Sequence, residues 1–388
     1  MKLCLALLAL GLSGLALPSA HAQEPPPPPP PPPDDVVTTP AKPTQTPPPT
    51  TTTTGNNHYL LLPDISFIGT QTGLFTRDKS QPDRNKFLFR EGEVAVQSFV
   101  YPGIKQDAFI VFANDEVTVE EAYLTAQQLK VLGKYPVALT LGRRKAPFGR
   151  TNQLHPHSWQ AVDNPAVLRN LVDPESLTGD GAYVSYLFPT KFFLQLDAGY
   201  FGAANPTTTT DTVPEGGAAF ADTFSTFRLW AGQHVGGGEL ELGGSLAKGR
   251  GTAYPLNEST FSPDTTLTGA DLSWRKGASD QTRLLLRAEY INHEQKADGI
   301  QHNANGYYVL ADKRFNPLDS LGLRYDDSAY AFSPGREKSV SVIATHRLTE
   351  QTYMRFQVGH GDRPTQKGFT DFRFQIVWGV GPHTHNLE

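Results

Sequence analysis

From Pro63 onward, apolar and polar residues alternate in short runs. In the last of these, Phe372, Phe374, Ile376, Trp378 and Val380 share one parity, while Arg373 and Gln375 take the other. A period of two is the mark of a strand with one apolar and one polar face. The same split sets Leu284, Leu286, Ala288 and Tyr290 against Arg283, Arg287 and Glu289. It also sets Met354, Phe356 and Val358 against Tyr353, Arg355 and Gln357, and Phe192, Leu194, Leu196 and Tyr200 against Gln195 and Asp197. Such segments run for about 9 to 13 residues, the length a tilted strand needs to cross a bilayer. Between Asp64 and Val380 the chain parses into about sixteen of them, an even number as bacterial barrels require.

The links alternate as well. After even strands they are short and turn-like, as at Tyr101-Pro102-Gly103, Pro189-Thr190, Gly236-Gly237-Gly238 and Thr349-Glu350. After most odd strands they are longer, and the longest runs from Ala146 to Thr178. Two links depart from this: Asn114-Asp115-Glu116 is short after an odd strand, and Lys130 to Pro136 is long for a turn. Short turns at one end and long loops at the other are the habit of outer-membrane barrels. The expectation is therefore an all-β fold, a transmembrane antiparallel β-barrel of about sixteen strands spanning residues 58–388. A stretch as long as 146–178 without a strand period needs a reason, and folding inward as the third extracellular loop supplies one.

Composition then narrows the class. Lys2, the apolar run Leu5 to Leu10 and Ala20-His21-Ala22 make residues 1–22 a cleaved signal peptide, which predicts export to the outer membrane of a Gram-negative-type envelope. The single cysteine, Cys4, falls inside that segment, so the mature chain is expected to have no disulfide, thiol nucleophile or thiolate metal site. Residues 23–57 hold nine consecutive prolines, Pro25 to Pro33, followed by threonine and proline mixtures. They read either as a disordered tail or as a semi-rigid periplasmic linker reaching the cell wall or a partner. Beyond the signal no apolar run is long enough for a helical span, which leaves the strands to meet the lipid. The formal net charge of -5 names no partner, and nothing points to nucleic acid.

Candidate chemistry lies on the polar faces. Parity turns Arg228, Arg275, Arg283, Arg287, Arg324, Arg347, Arg355 and Arg373 inward, because an arginine facing lipid at mid-depth costs about 2 to 4 kcal/mol. Glu91, Glu93, Asp107, Glu120 and Glu121 gather earlier, so the two sets would face each other across a water-filled lumen. The proposed constriction adds Arg143, Arg144, Lys145 and Arg150 at its start and Arg169 further on, against Asp163, Asp173, Glu175 and Asp180. The bland reading is that these arginines balance carboxylates and stiffen the wall; the functional reading is a path for anions. His155 and His157, with His383 and His385, are weak metal candidates, and no cofactor is expected. His157 and Ser158 are adjacent, but no G-x-S-x-G turn accompanies them and no catalysis is expected.

The words KAPFGRTNQLHPHSWQAVDNPAVL, FREGEVAVQ, VTVEEAYLT and FQIVWGVGPH, spread between Leu62 and His383, resemble bacterial outer-membrane porins related to the phosphate-selective porin family. The resemblance implies a sixteen-stranded barrel, commonly a trimer, with a third loop in the pore and basic side chains along it. Phosphate-specific members are lysine-rich in the constriction, whereas this loop offers mainly Arg150 and Arg169, so phosphate does not carry over. The reading is a porin for passive diffusion of small hydrophilic, preferably anionic solutes, with outer-membrane lipid around it. Two alternatives stay open: a closed structural or adhesive barrel, and a soluble secreted β-rich binding protein.

Overall fold

The computed structural model describes residues 62–113, 116–132, 135–204, 218–252, 263–277, 283–297, 299–349 and 351–382. The predicted signal peptide, the linker 23–57, His383 and His385 lie outside these residues. The strands of the first half are β1 (Asp64–Thr76), β2 (Lys86–Tyr101), β3 (Ile104–Ala113), β4 (Glu116–Leu132), β5 (Tyr135–Lys145), β6 (Thr178–Leu187), β7 (Phe193–Ala203) and β8 (Phe220–Val235). Those of the second are β9 (Gly238–Gly251), β10 (Asp264–Lys276), β11 (Arg283–Ala297), β12 (Ile300–Arg314), β13 (Asp319–Ala329), β14 (Arg336–Arg347), β15 (Tyr353–Arg363) and β16 (Gln366–Val380). Each pairs antiparallel with its neighbours in sequence, and β1 also pairs with β16, from Phe67 opposite Val380 to Thr76 opposite Asp371. The ring is closed, so no strand edge is left with unpaired N–H and C=O groups, which is what hydrocarbon demands of a sheet.

Burial runs opposite to that of a water-soluble sheet. Along β14, Glu337, Ser339 and Ser341 are buried while Val340 and Val342 are 46% and 47% exposed. On β13, Ser320 and Arg324 are buried beside exposed Leu321 and Leu323. Polar residues point in and apolar ones out on strand after strand, leaving an apolar outer surface far beyond what water tolerates. At the short-turn end Gly236 and Gly237 close β8 and β9 with φ of +63° and +74°, the left-handed pair of a tight hairpin that matches strand twist. The link expected over Lys130 to Pro136 is shorter than predicted: β4 continues to Leu132 and β5 begins at Tyr135, because Lys130-Val131-Leu132 carries the strand on through two register slips.

The connection between β5 and β6, residues 146–177, is not featureless. It holds 3-10 turns at Thr151–Gln153 and Pro156–Ser158 and a helix, α1 (Ala166–Leu171), too short to show a period in sequence. Asn152 ties its two ends: its amide nitrogen donates to the carbonyls of Ala146 and Leu177, and its carboxamide oxygen accepts the Leu177 N–H at 2.6 Å. Val167, Leu168, Leu171 and Val172 are fully buried in a cluster with Phe201, Phe220, Phe224, Leu267, Ile291 and Phe332. The inner wall of β7 to β12 is thus apolar where this segment lies on it. Elsewhere the contacts are polar. Gly149 N–H donates to Ser245, Thr151 meets the Tyr308 hydroxyl, Ala166 N–H donates to Asp326 and Val162 N–H donates to Gln357.

Candidate functional site

Register places a belt of arginines at the short-turn end of the lumen. Arg275 is the penultimate residue of β10, Arg283 begins β11, Arg314 ends β12, Arg347 ends β14, and Arg355 lies two residues into β15. Arg283 and Arg314 are direct cross-strand partners, a like-charge pairing that is ordinarily destabilising. With Arg150 and Arg287 these residues line a cavity of about 240 Å³, roofed by Ser158, Trp159 and Gln160 of the long connection. Its wall carries seven arginines and two carboxylates, Glu239 and Glu241, so positive charge is in surplus. The carboxylates are committed already: Glu241 pairs with Arg150 at 2.8 Å and Glu239 with Arg275 at 2.7 Å.

Arg283, Arg287, Arg347 and Arg355 are held by neutral groups or by none, with the Asp312 carboxylate within electrostatic reach of Arg283 and Arg347. Arg287 donates to Gln160 at 2.7 Å, and Arg355 donates to the Ala161 carbonyl, Gln375 and Thr345 while lying over the Tyr353 ring. Among the described residues Arg283, Arg287, Arg347 and Arg355 form no ion pair, and Arg283 Nε, Arg287 Nε and Arg347 Nη1 are buried without a hydrogen-bond partner. Burial lowers the Arg150 pKa, and the Arg287, Arg228 and Arg275 charges push the same way against Glu241. An arginine stays protonated even so, and the excess charge is real.

A second group is charge-balanced and holds the long connection to the wall. Asp163 accepts from Arg324 and Gln357 at 2.8 Å each, with Arg373 at 3.6 Å and Arg169 at 3.7 Å. Burial raises its pKa, but the Arg324, Arg373 and Arg169 charges outweigh that and hold it far below the usual carboxylate range. Each of those arginines has another carboxylate: Asp326 for Arg324, Asp371 for Arg373, and Glu337 for Arg169. Arg228 is clamped at two points by Asp271, both side chains 3% exposed.

The third cluster surrounds His155. A bulge in the β3–β4 ladder, where Phe109 faces Glu121 and Ile110 faces Val119, leaves Glu120 as the extra residue, so both glutamates turn inward. His155 Nδ1 lies 2.9 Å from Glu93 and 3.2 Å from Glu120, and Nε2 lies 2.8 Å from Glu121. Lys145 Nζ meets Glu120 at 2.8 Å and the Leu154 carbonyl at 3.2 Å. Arg144 packs between the rings of Tyr123 and Tyr183, 3.9 Å from Glu121. Burial and Lys145 oppose a charge on His155, but Glu120 and Glu93 outweigh them and raise its pKa well above the ordinary value. Glu93, Glu120 and His155 bring their ligand atoms within 4.8 Å of one another. The His157 ring lies tilted 5.6 Å from His155, and the His157 carbonyl accepts the Tyr353 hydroxyl.

The predicted basic residues therefore separate into distinct environments. Arg150, Arg275, Arg283, Arg287, Arg347 and Arg355 come together in the cavity. Arg169, Arg228, Arg324 and Arg373 are matched with carboxylates, and Arg144 and Lys145 belong to the histidine cluster. Arg143 and Asp180, both expected among the constriction charges, pair with each other at an exposed site. Arg314 went unread although the signal was there: it shares strand parity with Tyr308, Leu310 and Asp312.

No protein-family profile matches the chain. In sequence it is similar to an uncharacterized protein of Aquifex aeolicus (strain VF5), at 24% identity over 78% of this chain and 70% of that one. In structure it is similar to in-vitro folded OmpT, an outer membrane protein of Vibrio cholerae, with a TM-score of 0.54 and 13% identity over 81% of this chain and 97% of that one. An anion-selective porin from Comamonas acidovorans gives a TM-score of 0.54 at 10% identity, over 82% and 100% of the two chains. OprB of Pseudomonas putida gives 0.55 at 11% identity, over 82% and 94%. At these identities the likeness shows the fold, which is that of the outer-membrane porin barrels.

Proposed function

We propose that the protein is an outer-membrane porin for passive diffusion of small hydrophilic solutes, with a preference for anions and no catalytic reaction. Residues 146–177 act as the inward-folded third extracellular loop that narrows the lumen, and the arginine belt is the selective surface at its periplasmic side. The observation that carries this reading is the cavity wall of seven arginines against two carboxylates. A structural ion-pair network would have matched those charges, as it does around Asp163. Unmatched guanidiniums facing water attract anions and repel cations. The cleaved signal, the periplasmic spacer over 23–57 and a trimeric assembly complete the proposal; OmpT of Vibrio cholerae is recorded in a trimer form.

The test is planar-bilayer conductance in asymmetric potassium chloride. Single-channel steps with an anion-selective reversal potential are expected, and Arg283→Ala with Arg347→Ala should move the reversal potential toward zero while the steps persist. Cation selectivity in the unmodified protein would sink the anion reading. The second reading, a closed structural barrel, draws on the apolar cluster that packs the long connection onto β7 to β12; folded protein that gives no steps would favour it.

A further inference from the structure

The cluster around His155 has the donor set and the charge of a metal site. Glu93 comes from β2, Glu120 from the bulge in β4, and His155 from the long connection. Ligand atoms bound to one ion at about 2.0 to 2.2 Å sit about 3 Å apart. The separations of His155 Nδ1 from Glu93 Oε2 and Glu120 Oε2 are 2.9 and 3.2 Å. The other ring nitrogen, Nε2, is held by Glu121 at 2.8 Å. Metal-bound histidines are oriented in that way by a carboxylate on the far nitrogen. Lys145 occupies Glu120 Oε1 at 2.8 Å and leaves Oε2 facing the imidazole nitrogen.

Charge supplies the second argument. Glu91 is 6% exposed, its Oε1 has no hydrogen-bond partner, and it lies within electrostatic reach of Glu93 and Glu120. The carboxylates of Glu91, Glu93, Glu120 and Glu121 outnumber the cations that reach them, Lys145, Arg144 and Arg90, and Arg90 also pairs with Glu175. The surplus is negative, which favours a cation at the centre of the cluster.

We propose that Glu93, Glu120 and His155 Nδ1 bind a divalent transition-metal ion of the zinc class, with Glu121 as the orienting partner of His155. Binding forms the metal–Nδ1 bond and breaks the Nδ1–H bond, releasing the proton to solvent. The ion joins the long connection to β2 and β4 and so fixes it against the wall.

The experiment is zinc titration of the full-length, detergent-folded barrel after chelator treatment, read by metal content and by calorimetry in buffers of different ionisation enthalpy. One zinc per chain with release of about one proton is expected. His155→Ala should lose that zinc, and Glu121→Gln should weaken it by about 10- to 100-fold. Lys145→Met removes a competing cation and should tighten binding by about tenfold or more, a gain that misfolding cannot imitate. Absence of retained zinc overturns the proposal, as does zinc retained in full by His155→Ala or unaltered affinity in Lys145→Met.

Discussion

Asp163→Asn separates two ways of holding the long connection in place. The substitution removes one charge from a site where Arg324, Arg373 and Arg169 converge, yet each keeps a second carboxylate. Arg324 and Gln357 can still donate to an asparagine oxygen. What is lost is the charged part of about two hydrogen bonds, roughly 2 to 3 kcal/mol. Against it stand Val167, Leu168, Leu171 and Val172, each fully buried. At about 1.5 to 3 kcal/mol apiece they contribute on the order of 6 to 12 kcal/mol, an upper figure because the unfolded reference is not fully extended. Apolar packing should win. Residues 5–388 hold no cysteine, so Ala161→Cys offers a buried thiol whose labelling reports opening of the segment. Asp163→Asn should speed labelling by about 30- to 160-fold without changing single-channel conductance. Leu168→Ala with Leu171→Ala, at about 2 to 5 kcal/mol each, should speed it far more and raise the conductance. If Asp163→Asn labels as fast as the double leucine variant, the charges hold the segment and the argument fails.

Two further outcomes follow from paired charges. Asp271→Asn strands Arg228 at a site where both partners are 3% exposed, and should destabilise the barrel by about 3 to 5 kcal/mol, seen as a lower urea midpoint for unfolding. Asp163 has its pKa lowered by the surrounding arginines, so its contribution is present above the unfolded value of about 3.9 and is lost only as pH falls through the lower folded one. Labelling of Ala161→Cys at a fixed reagent reactivity should therefore be flat from pH 8 to about pH 4, and a half-rise near pH 5 would contradict the assignment.

The barrel was legible because lipid and lumen impose a strict period of two, and the arginines at 283, 287, 355 and 373 fall on the polar parity at every turn. What each arginine meets was not legible. Arg324 and Arg347 look alike in sequence, but one is bracketed by Asp163 and Asp326 and the other has a buried nitrogen without a partner. Parity gives a direction and says nothing about which residue of a distant loop arrives opposite. The pairing of Glu120 with its neighbour Glu121 was hidden for another reason: a strict alternation sends one of the two outward, and only the bulge opposite Phe109 and Ile110 turns both toward His155.

This division bears on what the arginines are for. A direct cross-strand Arg283–Arg314 pair works against folding, with Arg283 in no ion pair among the described residues, whereas Arg228 with Asp271 and Arg324 with Asp326 are balanced at equal depth. Residues that break a local rule without structural compensation mark the places where function sets the sequence. The matched arginines can be exchanged for apolar residues together with their partners at little expense in selectivity, because their field is already cancelled. The unmatched ones cannot be removed without changing which ions approach the cavity, and their removal should leave the barrel no less stable. Stability and selectivity thus reside in different members of one residue type, and the presence or absence of a facing carboxylate sorts them.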